Sequence, residues 1–157
     1  MTYGLWYPRN HNLQLTAYSD VDWENCLDEI KSTSGGAFSL GDYLVAWLSK
    51  NQESIYLSTI EGEYIVAATC YTQILWIIQT LEYLEVRYLD PIPLHCDTSS
   101  ISMSKNPVLH SKTKHIPIKY HFLREHVTNR VVQLNFIPSS EHTADIFTKP
   151  LPKTQFE

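Results

Sequence analysis

Cysteine is scarce in this 157-residue chain: Cys26, Cys70 and Cys96 are scattered, odd in number and in no metal-type spacing. That argues against a disulfide framework and predicts reduced thiols, in the cytosol or the nucleus. A continuous apolar run of about 18 residues is also missing, so no membrane span is expected. The first residues, MTYGLWYPRN, hold no long apolar stretch of the secretory-signal kind. Repeats, linkers and low-complexity tracts are absent. Acids are nearly absent from one region. Between Lys105 and Arg130 stand six Lys/Arg, four histidines (His110, His115, His121, His126) and one acid, Glu125.

What is present fits one domain with a real core. Net charge is −5, so the basic segment stands out against an acidic chain. It reads either as a contact for a polyanion or as the solvated face of a helix, and composition leaves both open.

The run LQLTAYSDVDW, Leu13 to Trp23, reads as a strand ending in two aspartates, Asp20 and Asp22, with no adjacent cation. Two more strands follow, Ala37 to Leu40 and Tyr43 to Ser49, with Gly41-Asp42 as a tight turn. Ser58 and Glu61 have the spacing of a capping box at the start of a long helix. Advancing 100° per residue from Glu63 brings Cys70, Ile74, Ile77 and Leu81 within about 40° of it. Glu61 falls on the opposite face, with Thr72 and Gln79, so the pattern predicts a core-facing Glu63 and a water-facing Glu61. PIPLHCD, Pro91 to Asp97, reads as a short buried strand that again ends in an aspartate. A short helix is predicted in TSSISMSKN and another between Thr113 and Thr128, starting late because of Pro117. VVQLNFIP reads as a last strand, and a short helix carrying Asp145 ends before Pro150. The order β-β-β-α-β-α-α-β-α predicts an α/β fold, a mixed sheet with helices packed against it.

Four carboxylates remain: Asp20, Glu63, Asp97 and Asp145. If the strands before Asp20 and Asp97 lie side by side and parallel, these two acids meet at the strand ends where ligands gather. Close carboxylates cannot all stay ionised without a counter-charge. A hard divalent cation such as Mg²⁺ would supply it, and a pair about 4 Å apart would suit phosphodiester hydrolysis. Ordinary loop and cap acids are the alternative, which spacing does not exclude.

Six ordered segments carry a family resemblance: YSDVDW (18–23), KSTSG (31–35), LSTIEGEY (57–64), HCD (95–97), NPVLHSKTKHI with KYHFLRE (106–125), and ADIFTKPLP (144–152). The chain resembles the RNase H domain of copia-type LTR-retrotransposon, retrovirus-related Pol polyproteins. The resemblance implies an RNase H-like fold with a five-stranded mixed sheet of order 3-2-1-4-5, flanked by helices. It implies metal-dependent cleavage of the RNA strand of RNA–DNA hybrids, leaving a 3′-hydroxyl and a 5′-phosphate. The ligands of Mg²⁺ or Mn²⁺, two ions, would be Asp20, Glu63, Asp97 and Asp145. Asp22 and His142 are accessory candidates, the latter by analogy with a histidine that helps product leave. Lys112, Lys114, Lys119 and Arg124 are candidates for phosphate contacts, since a hybrid is gripped through backbone and shape.

The expected boundaries are a connection segment at 1–12, the RNase H-like domain at 13–152 and a tail at 153–157. In the family a reverse transcriptase precedes this domain in the same polyprotein. Residues 24–26, 98–99, Gly62 and Pro117 depart from the family pattern, and none of these changes removes a ligand. Two alternatives to the nuclease stand beside it: an orphan transposon remnant with little activity, and a nucleic-acid-binding domain that no longer cleaves.

Overall fold

Alternation of apolar and polar residues builds the strands. In β1 (Leu15–Asp22), Leu15, Ala17 and Ser19 are buried while the residues between them are half-open. β2 (Thr33–Leu40) and β3 (Tyr43–Asn51) form the expected hairpin, turned at Gly41 with φ of 58°. A positive φ suits glycine, which has no Cβ to clash. The computed structural model describes residues 4, 13–22, 32–51, 58–88, 90–97, 101–102 and 118–156.

The remaining elements are α1 (Thr59–Tyr83), β4 (Ile92–Cys96), α2 (Ile118–Thr128), β5 (Val132–Phe136), two 3₁₀ turns (Ser139–Glu141 and Thr143–Phe147) and α3 (Lys153–Phe156). One sheet has the order β3-β2-β1-β4-β5, as the resemblance implied. β1 pairs antiparallel with β2 and parallel with β4, and β5 is parallel to β4. α1 crosses one face of the sheet, and Leu15, Ala17, Phe38, Ile74, Leu94 and Val132 belong to the resulting core. α2 leans on α1, where His126 meets Tyr71 with ring centroids 5.1 Å apart.

Ser58 caps α1: its Oγ accepts the Glu61 N–H at 3.3 Å. Both long helices end in the same hydrogen-bond pattern. Val86 N–H donates to Leu81 O at 2.9 Å, and Val131 N–H donates to His126 O at 2.9 Å. In each case the residue before the donor, Glu85 or Arg130, holds a positive φ.

Three expectations change. Glu61 does not face water; it is 6 % exposed. A rotation argument separates faces only where a helix has a wet side. Gly62, Tyr64, Ile65, Val66, Ala67 and Ala68 are all buried, and Glu63 is the half-open residue of that first stretch. The last predicted helix is a pair of 3₁₀ turns instead. α1 is also long and apolar enough to cross a membrane by length and composition, and just over half of that stretch is buried inside the fold, as in a core helix. Of the helix predicted from Thr113, residues 113–117 lie outside the described residues, and α2 starts at Ile118. Of the one predicted around TSSISMSKN, Ile101 and Ser102 are described and helical.

Candidate functional site

The parallel register sets the site. Tyr18 of β1 lies beside His95 of β4. Two residues further along each chain come Asp20 and Asp97. The rings of Tyr18 and His95 stack with centroids 4.9 Å apart and planes 18° apart. The half-open face of β1 thus leads from an aromatic pair to the proposed carboxylates.

The far side of that face is closed by the chain's last turns. Asp20 pairs with Gly35 across β1 and β2. A Cβ on Gly35 would stand 2.5 Å from Thr148 Cγ2 and 3.0 Å from the carbonyl oxygen of Ala144. Glycine is therefore what lets the 3₁₀ turn lie directly on the sheet. The close approach brings Thr148 Oγ1 to 2.5 Å from Asp20 Oδ2. The Asp145 carbonyl lies 3.0 Å from the same hydroxyl, whose one proton belongs to the shorter bond. Lys149 Nζ is 2.8 Å from Asp145 Oδ2 and 4.0 Å from Asp20 Oδ2. His142 Nδ1 lies 3.6 Å from Asp145 Oδ1. One ligand atom from each of Asp20, His142 and Asp145 lies within 4.8 Å of the others.

Glu63 enters this field from the first turn of α1. Burial comes first in pushing its carboxyl up to about 8, and the charges of Asp20 and Asp97 push the same way. Its Oε2 is buried and has no hydrogen-bond partner among the described residues. Asp20 is also raised, by burial first and by Asp145; the Thr148 bond, His142 and Lys149 oppose that. Lys149 loses some basicity to burial, but its bond to Asp145 and the charges of Asp20, Asp145 and Asp22 outweigh the loss and raise it.

These shifts have a defined sign for stability. Between about 4.5 and about 8, folded Glu63 holds a proton that the unfolded chain has released. Raising the pH through that window favours the unfolded state, and Asp20 adds in the same direction. The contribution is full below the lower value and lost above the upper one. Metal-free protein should melt at progressively lower temperature as pH rises through the window, and Glu63→Gln should flatten the slope. Thermal melts in EDTA read this directly; a melting temperature that climbs across the window in the metal-free wild type contradicts it.

The sequence candidates separate by place. The charges of Asp20, Asp97 and Asp145 all act on Glu63, and that of Asp145 on Asp20, with Asp97 exposed and Asp145 buried. Asp22 is buried at the end of β1, and its charge acts on Lys149. Arg124 is half-buried in α2, and its charge acts on the Tyr64 phenol of the core. Lys112 and Lys114 lie outside the described residues, and of Lys119 only its place in α2 is described. Sequence reading missed Thr148, Lys149 and Gly35. The signal was available for the first two, which follow Asp145 by three and four residues, a spacing that returns to one helical face.

The acid-rich pocket suits a cation. Oxygen–metal bonds of about 2.0–2.6 Å span ligand atoms up to about 5 Å apart, and the three groups above meet that limit. Glu63 Oε2 has no hydrogen-bond partner among the described residues, and Asp20, Asp97 and Asp145 all push its carboxyl up beyond the effect of burial, with Lys149 opposing them.

No protein-family profile matches the chain. It is 35 % identical over 156 residues to the retrovirus-related Pol polyprotein from transposon RE1 of Arabidopsis thaliana, 99 % of this chain and 11 % of that protein. It is 35 % identical over 144 residues to the corresponding polyprotein from transposon TNT 1-94 of Nicotiana tabacum, 91 % of this chain and again 11 % of the relative. The chain thus spans about a ninth of the length of these curated relatives. Among solved structures, LC11-RNase H1 in complex with an RNA/DNA hybrid has the same fold, with TM-score 0.54 at 12 % identity over 86 % of this chain and 94 % of that one.

Proposed function

The chain belongs to the retrovirus-related Pol polyproteins of copia-type transposons as an RNase H-like domain, and from that premise we propose that it cleaves the RNA strand of RNA–DNA hybrids with Mg²⁺ or Mn²⁺. The observation that carries the proposal is the convergence of Asp20, Glu63, Asp97 and Asp145 from four distant stretches of chain into one electrostatic field. Hybrid is the proposed substrate because the fold neighbour was solved on one and because the related polyproteins are retrovirus-related.

The four carboxylates would hold the ions, two of them by resemblance. Bound there, they would supply a hydroxide at neutral pH and offset the charge growing on the leaving oxygen. Thr148 fixes the rotation of Asp20 by donating to Oδ2. Lys149 offsets part of the negative charge and orients Asp145. The Tyr18–His95 pair gives the floor beside Asp20 and Asp97 a flat aromatic wall. Lys112, Lys114 and Lys119 are the proposed phosphate contacts, so affinity for hybrid should fall steeply with salt. The buried free thiol Cys70 supports action in a reducing compartment, cytosol or nucleus.

The test is cleavage of an end-labelled RNA, offered as hybrid and single-stranded, beside a duplex DNA control. The expected result is metal-dependent cutting of the RNA only in the hybrid, with a 3′-hydroxyl and a 5′-phosphate left. A cooperatively melting sample that binds hybrid in a salt-dependent way and never cuts it supports the non-cleaving alternative.

A further inference from the structure

His142 is built into the pocket by local geometry. It stands just before the 3₁₀ turn Thr143–Phe147, three residues ahead of Asp145. Its Nδ1 lies 3.6 Å from Asp145 Oδ1, so both side chains project to the same place. The His142 side chain is 6 % exposed. Neither ring nitrogen has a hydrogen-bond partner among the described residues. The 3.6 Å to Asp145 Oδ1 is too long for one. A buried imidazole with no bond on either nitrogen is destabilising, and a ligand in the pocket would offset that.

We propose that His142 is a nitrogen ligand in a mixed Asp20–Asp145–His142 centre, and that this centre takes Co²⁺ or Zn²⁺ ahead of Mg²⁺. The inference rests on the reading above that these acids hold a divalent cation. It adds which ion the chain's own donor set prefers. Carboxylates alone suit hard ions, whereas an imidazole favours the later first-row metals. Mg²⁺ exchanges its waters reluctantly. Among the described residues Lys149 is the ammonium near both acids, and its single charge leaves the two carboxylates with net negative charge for the incoming ion. It follows that Zn²⁺ competes with Mg²⁺ for this position.

Co²⁺ is the probe, because its visible absorption and its contact-shifted proton resonances report the donor atoms. Metal-free protein is titrated with Co²⁺ and, separately, with Mg²⁺ in competition against it. Wild type should bind Co²⁺ at least about tenfold more tightly than Mg²⁺ and show shifted imidazole ring resonances. His142→Gln should weaken Co²⁺ by about 10–100-fold and alter its spectrum, with the Mg²⁺ affinity within about threefold of wild type. Asp145→Asn should lose both ions. An unchanged Co²⁺ affinity and spectrum in His142→Gln overturns the nitrogen ligand while Mg²⁺ binding keeps the wider reading intact. If His142→Gln does not fold, wild type decides alone: bound Co²⁺ with no shifted imidazole resonance also overturns it. A folded wild type that takes up neither ion removes the cation reading itself.

Discussion

Asp97→Asn should lower hybrid cleavage by about 100-fold or more and leave the melting temperature of metal-free protein almost unmoved. Asp97 is exposed at the end of β4, so losing its charge exposes nothing and leaves no cavity. Outer partners of metal ligands are themselves worth about 10–100-fold, and a direct ligand should cost at least that. Glu63→Gln gives the contrasting pattern. It too should abolish cleavage, yet it removes a carboxyl that burial holds up to about 8. Above that pH, metal-free Glu63→Gln should be more stable than wild type by on the order of a few kcal/mol. Activity and melting measured on both variants separate a ligand from a scaffold residue. Robust cleavage by Asp97→Asn would reject its assignment.

Gly35→Ala should destabilise the fold by about 1–3 kcal/mol and cut cleavage as well. Even one methyl group would stand 2.5 Å from Thr148 Cγ2 and 3.0 Å from the Ala144 carbonyl. The side chain can give way; the backbone oxygen cannot without moving the turn that carries Asp145. Thr148→Ser keeps the hydroxyl on Asp20 and removes Cγ2, so adding it to Gly35→Ala should recover part of the loss, not all of it. Gly36 points to the opposite face, where a Cβ would meet Cys70 Sγ at 2.7 Å. Gly36→Ala should therefore be rescued by Cys70→Ala, since the obstacle is one side-chain atom. Denaturant melts of the single and double variants give the coupling energies. Full rescue of Gly35→Ala by Thr148→Ser would mean that the Ala144 backbone is not the constraint.

The sheet order was legible because strands, turn and helix each carried a local signal, and the ordered motifs fixed their arrangement. Alternation marked β1, and Gly41-Asp42 marked the hairpin. The start of β2 was not legible. Ser34, Gly35 and Gly36 are buried there with almost no side chain, so hydropathy gave no strand signal although the packing from both faces is tightest. Glu61 failed for a related reason: a helix turn buried all round has no polar side to find. Asp145 was placed in a helical turn, and Thr148 and Lys149 stand three and four residues beyond it; what no local pattern encodes is the bond from Thr148 to Asp20, across 128 residues of sequence.

Asp145, Thr148 and Lys149 all follow β5, after every strand of the sheet has been specified. A ribosome finishing this region has already released β1 to β4 before the piece that seals Asp20 emerges from its exit tunnel. During synthesis the Asp20 side of the sheet thus stays uncovered until residue 149 is free, and the seal over Asp20 is the last part of this cluster to form.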